Sequence, residues 1–166
     1  MRLLNLLDKF IARIETFFVV IILTSMILLA FLQVILRNFF ATSIFWADVF
    51  LRHLVLWIGF IGASLATRES KHINIDVLTK LLPQKGKQVS QIIINLFAAV
   101  VCFFLMQAAI NFIKLEAELG GDLFAGVPTW SAQLIIAIGF GIMMFRFFLQ
   151  SIEQILSLLR RKEVQA

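Results

Sequence analysis

Four apolar runs, near residues 16–36, 46–67, 89–113 and 129–149, alternate with short polar connections along this chain. Each run holds about 20 residues or more, enough at about 1.5 Å rise per residue to cross a hydrocarbon core of about 30 Å. Lipid offers no partners to backbone amides and carbonyls, so each run must satisfy its own, which a helix does. The pattern therefore predicts an all-α integral membrane protein, one domain over residues 1–166 with four transmembrane helices.

The connections have periodicities of their own. Residues 2–15 place Leu3, Leu7, Phe10, Ile11 and Ile14 at helical spacing among Arg2, Asp8, Lys9 and Arg13. This predicts an amphipathic N-terminal helix lying in the interface, the alternative being a water-exposed extension of the first membrane helix. The second connection sets Ile73, Val77, Leu78, Leu81 and Leu82 against Asp76 and Lys80 before Pro83 and Gly86, which predicts a second interfacial helix. In the third, Glu116, Glu118 and Asp122 surround Gly120 and Gly121. Gln107, Asn111, Lys114 and Glu118 fall on one stripe, so the third helix should project beyond the membrane. The tail from Ser151 is amphipathic again through Ile152, Ile155, Leu156 and Leu159.

Composition reinforces the membrane reading: 61% of residues are hydrophobic and 15% charged, against about 45–50% and about 25% in soluble domains. Mean hydropathy is +0.96. A net charge of +5 would suit nucleic acid, but the basic residues flank apolar runs and form no separate patch, so no nucleic-acid role is expected. Their distribution fixes orientation instead. Eleven lie at the N-terminus (Arg2, Lys9, Arg13), in the second connection (Arg68, Lys71, Lys80, Lys85, Lys87) and in the tail (Arg160, Arg161, Lys162), against two, Arg37 and Lys114, in the other connections. By the positive-inside rule both termini face the cytoplasm. Trp46 and Trp130 then fall at the outer interface, whereas Trp57 lies about 16 Å further along its helix and should pack against protein. The first run is too long for a cleavable signal core.

The second run carries most of the polar chemistry. Asp48 and Arg52 are four residues apart, share a helix face and are placed to pair. Ionisable side chains inside a bilayer are costly and mark functional or docking positions. The pair is read either as an insertion device or as a docking group whose spare guanidinium donors meet a partner's carbonyls. Gly59, Ala63 and Ala66 continue the same face, and small residues let another helix approach closely. Ala137 and Gly141 give the fourth helix a similar feature. Arg146, near the inner end of that helix, is expected to snorkel to the surface. His53 and His72 lie at opposite membrane faces, so no bis-histidine haem site forms, and with one cysteine, Cys102, they are too dispersed for zinc. No nucleotide loop, catalytic triad or metal motif is present. No cofactor and no enzymatic activity are expected. Four helices without an internal repeat leave little room for an alternating-access core. An accessory or scaffold subunit is what remains.

The stretch from Trp46 to Asp76 resembles the small membrane (Q) subunit of TRAP (tripartite ATP-independent periplasmic) transporters. The resemblance rests on Trp46, Asp48, Arg52, Trp57, Gly62-Ala63-Ser64, Arg68 and His72-Ile73-Asn74-Ile75-Asp76, with Pro128 and Trp130 before the last helix. Where the family often has two acidic residues after the first Trp, this chain has Ala47 and Asp48, so only one can act. The resemblance implies a scaffold beside a large multi-spanning subunit that carries the substrate and sodium sites. It also implies a periplasmic binding protein that delivers an organic acid such as a sialic acid or C4-dicarboxylate. On this reading Trp46, Asp48, Arg52, Trp57, Gly59, Ala63 and Ala66 face the large subunit, and Arg68, His72 and Asp76 form a cytoplasmic loop motif. Glu116, Glu118 and Asp122 would then meet the binding protein. The alternative from another class is a membrane-anchor subunit of a respiratory oxidoreductase.

Overall fold

A computed structural model describes residues 2–69, 84–124 and 126–164. Within them lie four helices, α1 (Arg2–Phe39), α2 (Phe45–Glu69), α3 (Gln84–Leu119) and α4 (Thr129–Val164), and a two-stranded hairpin, β1 (Asp122–Phe124) and β2 (Val127–Pro128). Each helix contains a stretch long and apolar enough to cross a membrane, of 32, 24, 31 and 28 residues in chain order. The second connection's interfacial helix, with His72 and Asp76, lies outside the described residues.

The N-terminal segment is continuous with the first membrane helix. Arg2–Phe39 is one helix, and no Gly or Pro interrupts it. Its inward positions, Asp8, Ala12, Glu15, Val19, Ile22, Met26, Leu29, Gln33 and Leu36, recur at alternating steps of four and three. Such spacing keeps a narrow seam facing one neighbour along a whole helix. Asp8, Ala12 and Glu15 share this seam with Ile22, so the N-terminal turns face the same neighbour as the apolar part of the helix.

The helices contact in the spatial order α1, α2, α4, α3. Ile22, Ile61 and Ile135, from α1, α2 and α4, form the buried centre, with Leu54, Trp57 and Phe60 packed against it. In lipid, helix association depends on close packing and interhelical hydrogen bonds more than on apolar burial. The α2–α4 contact shows both. Phe60 covers Gly139, where an added Cβ would come 2.8 Å from its Cδ1, and the indole N–H of Trp57 donates to the Ala132 carbonyl at 2.8 Å. The seam of α3 repeats α1's spacing with Ile92, Asn95, Ala99, Cys102, Met106, Ala109, Ile113 and Glu116.

Gly120 ends α3 in the left-handed region, at φ 66°, where its amide returns to the Glu116 carbonyl at 3.3 Å. The hairpin then leads into α4. Both the amide and the hydroxyl of Thr129 bond the Gly121 carbonyl, at 2.8 and 2.9 Å, which fixes the start of the last helix. β1 lies against α2, so the acidic connection is a folded cap over one end of the bundle.

Candidate docking face and the polar clamp behind it

The exposed positions of α2 form a stripe of their own. Asp48, Arg52, Val55, Gly59, Ala63 and Ala66 are all exposed, while their neighbours to either side turn toward α1 and α4. At 100° per residue the six fall within about 80° of arc, opposite Trp57, Ile61 and Ser64. Nothing lies within 4 Å of where a Cβ on Gly59 would stand. The stripe is therefore open, small at one end and charged at the other.

The expected Asp48–Arg52 pair does not form. Among the described residues neither side chain has an ion-pair partner, and both are exposed. Spacing of four residues permits contact but does not enforce it, and two exposed side chains lose rotamer freedom when held together. Trp46 is 43% exposed and stacks edge-on with Phe50 at 6.1 Å. Trp57 differs from the stripe: its ring turns inward to α4. His53 also remains local, its Nδ1 lying 2.8 Å from the Val49 carbonyl.

Behind this face, toward the N-terminal end of α1, lies a cluster that the sequence reading missed. Arg146 is 2% exposed and does not snorkel. Its Nη2 donates to Glu15 at 2.6 Å, its Nε to Asp8 at 3.1 Å, and its Nη1 to the Ser64 hydroxyl at 2.8 Å and to the Ser64 carbonyl. Ser64 donates in turn to Glu15 at 2.7 Å, and Asp8 also receives Arg68 Nε at 3.0 Å. One helical turn further, Gln150 Nε2 donates to the Thr67 carbonyl at 2.8 Å. Two guanidiniums and two carboxylates thus neutralise one another while tying α1, α2 and α4 at one level. Arg68, expected in a loop motif, is the cluster's outer member. The available signal was negative: Arg146 stands in an apolar run with no acidic residue three or four positions away.

At the opposite end, Glu116 is half-buried in the α3 seam, while Glu118 and Asp122 are exposed. The stripe of Gln107, Asn111, Lys114 and Glu118 is exposed along α3. Among the described residues no group of three or more His, Cys, Asp or Glu is placed to hold a metal ion.

Comparison with known proteins gives this geometry a family. Residues 26–160 match the model of the DctQ component of tripartite ATP-independent periplasmic transporters. A TRAP transporter small permease protein of Haemophilus influenzae is 30% identical over 121 residues, covering 70% of this chain and 74% of that protein. The ectoine TRAP transporter small permease protein TeaB of Halomonas elongata is 26% identical over 156 residues, covering 93% of this chain and 81% of the relative. The sialic acid TRAP transporter permease protein SiaT of Haemophilus influenzae is 29% identical over 118 residues, which are 69% of this chain but 18% of SiaT.

Proposed function

The chain belongs to the DctQ component family of tripartite ATP-independent periplasmic transporters, and from that premise we propose that it braces a large permease through the open stripe of α2. The observation that carries the proposal is the pair of exposed charges, Asp48 and Arg52, without ion-pair partners among the described residues, on a helix apolar enough to span a membrane. Facing lipid, each would carry an insertion cost, which reaches about 2.5–3.5 kcal/mol at the centre of a span. A partner helix that supplies carbonyls and hydroxyls relieves that cost, and Gly59, Ala63 and Ala66 give it room to approach. The match within SiaT supports the partnership, since there the corresponding segment shares one polypeptide with a much longer permease.

In this reading the small subunit does no chemistry and binds no cofactor. It enlarges the fixed scaffold against which the large permease moves during sodium-coupled uptake of an organic acid. Relatives named for ectoine and for sialic acid are compatible with a scaffold that does not itself select cargo. The basic residues favour both termini in the cytoplasm of the bacterial inner membrane, with the hairpin cap outside. There Glu118 and Asp122 stand exposed, with Glu116 beside them, where a periplasmic binding protein would dock. The respiratory-anchor alternative finds no support among the relatives.

The test is the double variant Asp48→Leu/Arg52→Leu, co-expressed with the large permease from the same source. It should insert as well as wild type or better, because two unpaired charges leave the lipid-facing span. Its complex with the large permease should weaken at least about tenfold, since a hydrogen bond to a charged group is worth about 1.5–3 kcal/mol. Wild-type recovery of the complex would overturn the assignment of this face.

A further inference from the structure

We propose that the groove between residues 9–20 of α1 and the end of α2 is a binding site for an anionic phospholipid. The groove has a volume of about 580 Å³ and is lined by Lys9, Arg13 and Arg68, with Ala12, Thr16, Phe17 and Val20 continuing along α1. Lys9 and Arg13 are exposed, stand one turn apart on the same face, and have no ion-pair partner among the described residues. Arg68 uses its Nε for Asp8, and its side chain remains 36% exposed, which leaves guanidinium donors on the groove side. Among the described side chains that line the groove or join the clamp, four cations (Lys9, Arg13, Arg68, Arg146) stand against two carboxylates (Asp8, Glu15), and the clamp takes up both carboxylates. The charges of Lys9 and Arg13 are left over among these, and both line the groove.

The lining is graded along the helix. Its cations lie toward the N-terminus, and Phe17 and Val20, both exposed, begin about 6 Å further along α1. A small anion such as free phosphate would use only the first part. A glycerophosphate headgroup with its acyl chains uses both, and basic pockets between membrane helices suit such lipids. The site rests on the reading of α1 as a membrane helix. It needs no large permease, so its failure would leave the proposed function standing.

The test uses the full chain purified in neutral detergent and exposed to equimolar phosphatidylglycerol and phosphatidylcholine, with retained lipid counted by native mass spectrometry. Wild type should retain phosphatidylglycerol preferentially. Lys9→Gln/Arg13→Gln spares every residue of the clamp and should lose that preference by at least about tenfold, at roughly fivefold per basic residue near a surface. The charge-preserving Lys9→Arg/Arg13→Lys should keep it, as should Lys114→Gln at the far end of α3. If the glutamine pair fails to fold, each single glutamine variant should still show a partial loss. Equal retention of the two lipids by wild type would overturn the site. So would undiminished preference in the glutamine variants, or release of the lipid by millimolar inorganic phosphate.

Discussion

Replacing Arg146 with methionine keeps a long, flexible side chain in place and removes its charge. The change deletes bonds to Asp8, to Glu15 and twice to Ser64. Asp8 retains Arg68, but Glu15, whose side chain is 8% exposed, is left with the Ser64 hydroxyl alone. Removing one partner of a buried pair costs about 3–5 kcal/mol, because the stranded charge is not resolvated. Removing both often costs little, so Glu15→Met/Arg146→Met should lie within about 1 kcal/mol of wild type. Reversible unfolding in mixed detergent micelles, followed through tryptophan fluorescence, measures each variant, and the cycle isolates the pair's coupling. If Arg146→Met alone matches wild type to within about 0.5 kcal/mol, the residue reaches headgroups or water and the clamp does not hold the bundle.

The other expectations address separate parts of the molecule. Gly139→Ala should destabilise the bundle by about 1–3 kcal/mol through overpacking against Phe60, and Phe60→Leu should relieve it, both read in the same unfolding assay. A Cβ added at Gly59 meets nothing within 4 Å in the chain itself, so Gly59→Leu should leave the small subunit folded while blocking recovery of the large permease. Ala41 holds φ at 50°, a conformation that favours glycine, and Ala41→Gly should stabilise by about 1 kcal/mol in the unfolding assay. Glu116→Gln/Glu118→Gln/Asp122→Asn should lower binding-protein-dependent uptake without changing membrane abundance; unchanged uptake would return the hairpin to a structural role.

The sequence made some of this architecture legible for specific reasons. The four spans follow from run length, and the open stripe of α2 could be drawn because Asp48, Arg52, Gly59, Ala63 and Ala66 recur at helical spacing on one helix. Features that depend on two helices were hidden. Glu15 and Arg146 are separated by 131 positions, and no periodicity within either helix points to the other. Without a partner in view, Arg146 reads as a snorkelling residue and the segment around Asp8 as an interfacial helix. The clamp explains the buried Arg146, since it bonds Asp8 and Glu15 of α1. The Asp48–Arg52 pair failed for the opposite reason, because spacing permits more contacts than a helix makes. The hairpin's strands, three and two residues long, are too short for alternation to register.

The most direct test of docking through α2 places a photo-activated cross-linking residue at Ala63, in the small half of the open stripe, and illuminates membranes that contain both subunits. The same residue at Phe97, which is 70% exposed on α3 and remote from α2 in the order of contacts, serves as the reference position. Position 63 should give a covalent adduct with the large permease at several times the yield from position 97. An adduct from 97 with none from 63 would contradict the bracing role of this face.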